Sequence, residues 1–288
     1  MKTDVDKEHG KILDLLKTKK LQGLNEFEID KLLFNQIYMG LTRSKKFLYA
    51  TILCSVIFDR EIIKVQGDYS ELLLFSEVFN RRDHDSYWKK FTELFKDKTC
   101  IEIENVNKKN LLKCLSFKKI PSKIKALCSY SDSLNEIKKQ ALRWFLAAQL
   151  VWFEQFYIKI SSINPMPKVA VCFCDAVFQE SLMVQWLKNR GVKTVTNQHG
   201  QPLLRDVNSD RLNQSQILNF NSDYFLAKGI FTKEQFIKNG AKDDSIIVVG
   251  DLNSHKFSYH KKKKKRITSV YFWIPQVIPF LWIQTLNC

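Results

Sequence analysis

Lys168-Val-Ala-Val-Cys-Phe-Cys174 and Val192-Lys-Thr-Val-Thr-Asn-Gln-His-Gly200 are short runs rich in β-branched and apolar residues, and each gives way to polar residues or glycine. Apolar runs of about four to eight residues have the length of buried strands. Between them, residues 178–189 carry helical spacing and close at Gly191. The alternation continues downstream. Residues 224–227 read as a strand, Thr232-Lys-Glu-Gln235 fits a capping box with Thr232 as N-cap, and that helix closes at Gly240 before a strand at 246–249. Strands separated by single helices pair in parallel, so the spacing predicts βαβ units and an α/β fold, a Rossmann-like parallel sheet with flanking helices. Ligands of such sheets bind in the crevice beyond the carboxyl ends of the strands.

Four strand ends therefore become the candidate site: Asp175, then Gln198-His199-Gly200, then Lys228-Gly229, then Gly250-Asp251. Short loops use Gly and Asp for turn geometry in any case, so a turn reading stands beside the ligand reading at each. His199 is the candidate general base, because a neutral imidazole takes up a proton near pH 7. Asp175, Gln198, Gly200, Gly229 and Gly250 are candidate substrate contacts. Lys228 and Arg205 are candidate cations for a phosphate, with solvated surface charge as the alternative. Gly229 before a helix lets backbone amides face an anion, although neither G-x-G-x-x-G nor G-x-x-x-x-G-K-[ST] occurs.

Upstream, residues 11–38 have helical spacing broken at Gly23, and 47–58 form an apolar run that suits a buried strand or a buried helix. Residues 70–78 and 86–96 read as helical, and 100–106 alternate as a half-buried strand does. The lysine-rich stretch 107–133, with Pro121, reads as a loop or subdomain connection. Residues 133–160 carry an aromatic stripe and predict the longest helix, stopped by Asn164-Pro-Met-Pro167. The organisation expected is an N-terminal helical and α/β part over 1–132, a long helix with βα units of the same domain over 133–255, and a basic, apolar tail over 256–288.

A hydrophobic content of 45% supports a globular core. The net charge of +16 includes six charges in Lys261-Lys-Lys-Lys-Lys-Arg266, and the remaining excess is spread along the chain. Such a spread suits anionic partners, including an anionic membrane surface. It does not indicate nucleic acid, because the aromatics lie in apolar stripes rather than among basic residues. Seven cysteines without a C-x-x-C pair fit a reducing compartment, and the charged start lacks the apolar core of a signal peptide, so a cytoplasmic location is expected, peripheral at the inner membrane face if the charge is used there. No metal site is expected. Asp83-His-Asp85 reads as a charged turn capping the next helix, Cys172 and Cys174 should share one strand face opposite Phe173, and His9, His255 and His260 read as surface residues.

His199-Gly-Gln-Pro-Leu203 resembles the His-Gly-x-Pro-Leu element of the CDP-glycerol glycerophosphotransferases of teichoic acid synthesis. The wider Gln198-His-Gly stretch is similar to that of capsular and surface-polysaccharide glycosyltransferases with a GT-B fold. Ser222-Asp-Tyr-Phe-Leu-Ala-Lys-Gly229, a helix and Ile246-Ile-Val-Val-Gly250 look like the approach to the end of the first domain in those enzymes. The resemblance covers about residues 165–255. It implies a GT-B-type N-terminal domain, an interdomain cleft, and a catalytic or acceptor-orienting role for His199. The implied donor is a nucleotide-activated sugar or CDP-glycerol, with no further cofactor, and the implied acceptor is a glycan or a lipid-linked intermediate of cell-envelope synthesis.

A GT-B enzyme has a second domain that holds most of the donor, and the residues after Gly250 are too few for one, so that domain is expected to be truncated. Residues 261–288 have three readings: an out-of-frame end after a slippage-prone lysine tract, the cut-short first strand of the second domain, or a membrane tail weakened by Pro275 and Pro279. Two functions follow. The chain is a transferase of bacterial surface-polysaccharide synthesis, or it is a non-catalytic remnant or adaptor that binds an acceptor or a partner enzyme through the same cleft.

Overall fold

The structure, a computed structural model, describes residues 2–59, 61–68, 70–77, 82–105, 114–176, 178–198 and 215–251. Helices α1 (Lys2–Leu16), α2 (Ile29–Thr42) and α3 (Lys45–Ile57) lead into strands β1 (Glu61–Gln66) and β2 (Leu72–Glu77). Helix α4 (Arg82–Glu93) connects β2 to β3 (Thr99–Asn105), and α5 (Ile120–Ser133) and α6 (Gln140–Ile160) follow. The last part alternates strictly: β4 (Val169–Cys172), α7 (Phe178–Lys188), β5 (Lys193–Asn197), α8 (Ser215–Leu218), β6 (Tyr224–Ala227), α9 (Ile230–Lys238) and β7 (Ile246–Val248).

The strands form one sheet in the order β1-β3-β2-β4-β5-β6-β7, parallel throughout except for β1, which runs antiparallel to β3. The Rossmann-like α/β architecture expected from residues 168–250 is therefore present. From β2 the chain crosses outward to β3, whereas from β4 it crosses the opposite way to β5. The switch point of the topology thus lies between β2 and β4, where open α/β sheets place their ligands.

Alternating strand residues explain how helices cover both faces. Leu73, Phe75, Ile101, Ile103, Ala170 and Cys172 join the large core built by α1, α2, α5, α6 and α7. Leu74, Val171, Val195 and Leu226 face the other way, onto Phe91, Trp88 and Phe95 at α4. Helix α6 packs against α2, α3, α5 and α7, which is why its aromatic stripe is so long.

Several expectations change. Residues 72–77 are a strand rather than a helix: β2 sits between β3 and β4 with both faces covered, so it shows no alternation and its apolar run mimics a helical one. Within the expected connection at 107–133, residues 120–133 form α5, which Pro121 starts because a first-turn proline forfeits no helical hydrogen bond. The long helix starts at Gln140, not at 133. Residues 45–57 resolve as a helix, with Ser44 accepting the Phe47 N–H at 3.4 Å. Thr232 lies inside α9, whose N-cap is Gly229; the Gly229 carbonyl already receives the Thr232 N–H at 3.1 Å.

His9 is fully buried, not a surface residue: its Nε2 donates to the Phe34 carbonyl at 2.8 Å, and its ring lies edge-on to Phe34, so it seals α1 to α2. β4 ends at Cys172, so strand alternation does not extend to Cys174; Cys172 lies in the large core, while Cys174 clusters with Phe173 and Tyr87. Asp83 and Asp85 occupy the first turn of α4, where their charge complements the helix dipole. Among the described residues no helix is long and apolar enough to cross a membrane.

Candidate functional site

Parallel pairing brings the ends of β2, β4, β5, β6 and β7 to one edge of the sheet. At the switch point that edge is held by two carboxylates. Glu180, in the first turn of α7, accepts the Glu77 N–H at 3.0 Å and the Cys174 N–H at 2.6 Å, while Glu77 accepts the Gln179 N–H at 3.3 Å. Glu180 thereby joins the end of β2 to the loop after β4. Burial, reinforced by the Glu77 charge, raises its carboxyl well above the usual carboxylate range. Asp175 is also enclosed. Its Oδ2 accepts the Asn221 N–H at 2.9 Å and the Ser222 N–H at 2.5 Å, so its carboxylate anchors the loop before β6 and presents no surface to solvent.

Farther along the edge, on the face covered by α4, a second group of side chains meets. The Tyr87 hydroxyl lies 3.3 Å from Asn197 Oδ1, and the Tyr87 ring carries the Lys228 ammonium 4.7 Å from its centroid. Lys228 also lies 3.4 Å from Asp251 Oδ1. Gln198 braces the arrangement: its Oε1 accepts the Lys228 N–H at 2.6 Å, and its own N–H donates to the Leu226 carbonyl. Burial, followed by the nearby Asp251 charge, outweighs the Asn197 contact and pushes the Tyr87 hydroxyl up to about 12, so it remains a neutral donor at ordinary pH.

Two features leave hydrogen-bonding capacity unspent at this edge. Asn197 is 2% exposed, yet its Nδ2 has no hydrogen-bond partner. A buried donor without an acceptor is uncommon, and this one lies in the wall of the edge, out of contact with solvent. Helix α9 starts at Gly229 without a side-chain cap, immediately after Lys228, so its first amides and the positive end of its dipole lie beside that cation. Gly229 has extended backbone and a Cβ there would meet nothing within 4 Å, so neither conformation nor packing demands glycine. Gly250 differs, since its φ of +86° is a left-handed conformation that favours glycine and sets the turn after β7.

Thus Gln198, Lys228, Gly229 and Gly250 come together at the carboxyl edge, with Asp175 buried beneath it. His199, Gly200 and Arg205 lie outside the described residues, as do His255, His260 and residues 252–288. Tyr87, Asn197, Glu77 and Glu180 were not among the sequence candidates. Asn197 was within reach of the strand-end argument, because it is the last residue of β5; the others come from segments whose proximity only the sheet order creates. Among the described residues no group of three or more His, Cys, Asp or Glu is placed to hold a metal ion.

Comparison of the chain with protein-family models, with curated proteins and with solved structures finds no match.

Proposed function

We propose that this chain binds a nucleotide-activated donor at the carboxyl edge of its sheet and serves group transfer to a hydroxyl acceptor, as a glycosyltransferase or glycerophosphotransferase of surface-polysaccharide synthesis does. The observation that carries the reading is the conjunction, at one edge of a switch-point sheet, of Lys228 and the uncapped start of α9. A diphosphate needs such cations and amides. The Lys228–Asp251 contact does not block this use, since a partly exposed pair at 3.4 Å is worth roughly 0–1 kcal/mol and yields to a phosphate with more charge. Tyr87 keeps the lysine aimed, and Gln198 fixes its backbone. His199, directly after Gln198, is the proposed base for the acceptor hydroxyl.

The test is turnover with CDP-glycerol and with UDP- and GDP-linked sugars on envelope glycan acceptors. The reading expects product with one donor class, an increase in KM for Lys228→Ala, and loss of kcat for His199→Ala. Product formation unchanged in both variants would overturn it.

A further inference from the structure

Helix α3 is apolar on both sides. Its inner side, with Leu48 and Ser55 buried and Ile52 and Val56 against the main core, packs on α6 and α5. At about 100° per residue, Tyr49, Ala50, Leu53 and Cys54 centre on the opposite side. All four are exposed, Tyr49 by 56% and Leu53 by 60%. Surface helices turn charged residues to water, yet the only charges in α3 are Lys45 and Lys46 in its first turn.

Cations stand at both ends of this apolar strip. Arg43, Lys45 and Lys46 are exposed where α3 starts, and the Arg43 guanidinium lies 5.8 Å from the centroid of the exposed Phe47 ring. Where α3 ends, the Ile57 carbonyl accepts the Ser116 N–H at 3.1 Å, which brings the 67%-exposed Phe117 and the exposed Lys118 to that end. No acidic residue occurs from Arg43 to Phe58. Asp59, the first carboxylate after the helix, is held by Lys119 at 2.9 Å and by Lys123 at 3.0 Å. An apolar strip flanked by cations, with aromatic rings beside them, is complementary to the acyl boundary and phosphate headgroups of an anionic bilayer. Length fixes the orientation: 13 residues span about 20 Å, short of a ~30 Å hydrocarbon core, so α3 suits the plane of the interface and not a crossing. None of these residues belongs to the Tyr87–Lys228 group, so the surface stands or falls apart from the donor reading.

We propose that the outward face of α3, with Phe117 and the cations at its two ends, is a docking surface for an anionic phospholipid bilayer. The test is flotation of the full chain with vesicles of equimolar phosphatidylglycerol and phosphatidylcholine, and with phosphatidylcholine alone, at low and high salt. Expected are binding to the anionic vesicles that weakens with salt, and far weaker binding to phosphatidylcholine alone. Leu53→Glu, and Lys45→Gln combined with Lys46→Gln, should each lower the affinity for anionic vesicles by about tenfold or more, with an unchanged circular dichroism spectrum. Ile237→Glu makes the same charge change as Leu53→Glu at an exposed position of α9, a helix that packs on β6 and β7, and should retain binding. No binding to anionic vesicles, equal binding to phosphatidylcholine alone, or equal loss in Leu53→Glu and Ile237→Glu would overturn the proposal. So would binding that Leu53→Glu leaves unchanged, as tethering by Lys261–Arg266 would give. Self-association abolished by Leu53→Glu, without vesicle binding, would also overturn it and assign the face to a second copy of this chain.

Discussion

Replacing Glu180 by Gln is expected to weaken the fold by an amount that shrinks as pH rises. Each Glu180 oxygen accepts one backbone N–H, from Glu77 at 3.0 Å and from Cys174 at 2.6 Å. A glutamine offers one acceptor oxygen, so one of those buried N–H groups faces an amide nitrogen, at a cost of about 1–3 kcal/mol. The wild-type carboxyl has its own cost. Burial and then Glu77 raise its folded-state pKa above the ordinary carboxylate value, so between the unfolded and folded pKa values the native state binds more protons than the unfolded one. Stability from this group is therefore fully present below the unfolded pKa of about 4.3 and is lost as pH rises through the folded value, by at most ~1.4 kcal/mol per pH unit. Glutamine does not titrate, and in the variant Glu77 also loses its anionic neighbour. Urea unfolding of both proteins at pH 5 and pH 8 should show the variant less stable at pH 5 and the gap smaller at pH 8. A gap that is constant or wider at pH 8 would refute the assignment of Glu180 as a buried carboxyl shared by two strand ends.

Tyr87→Phe should remove an alkaline transition: the raised phenol pKa of about 12 against an unfolded value of about 10 gives the wild type roughly 2–3 kcal/mol to lose across that interval, and the variant should lack that share in alkaline unfolding curves. Trp186 is fully buried in the last turn of α7, so Trp186→Ala should cost about 3–5 kcal/mol in thermal or urea unfolding; a loss below about 1 kcal/mol would contradict the packing. Gly40 sits where α2 approaches α6, and a Cβ there would come 2.3 Å from Leu142 and 3.1 Å from Phe145. Gly40→Ala should therefore destabilise, since overpacking of about 1–3 kcal/mol outweighs the gain of about 1 kcal/mol in helix propensity; a net increase in Tm would count against the close approach.

How far the sequence discloses this molecule depends on where its constraints are local. The βα units after residue 168 are legible because each strand stands next to the helix that covers it, with Gly191 and Gly240 marking the helix ends. β2 is not legible, because a strand enclosed by sheet neighbours and covered on both faces has no polar side to reveal its period. Losing β2 also hides the switch point. The site divides in the same way. Gln198 and Lys228 follow from the rule about strand ends, but the partners that orient them are remote in sequence: Tyr87 meets Asn197 across 110 positions and Glu77 meets Glu180 across 103. His9 misleads for the same reason, since the carbonyl that makes its burial tolerable belongs to the next helix.

The central claim, donor binding at the Lys228 edge, is tested most directly by calorimetric titration of the chain and of Lys228→Ala with CDP-glycerol and with UDP- and GDP-linked sugars. The account predicts saturable heat with at least one donor and an affinity about tenfold or more lower in the variant, as loss of a charge-assisted phosphate contact of about 1.5–3 kcal/mol requires. Absence of heat with every donor, or equal affinity in wild type and variant, would contradict it.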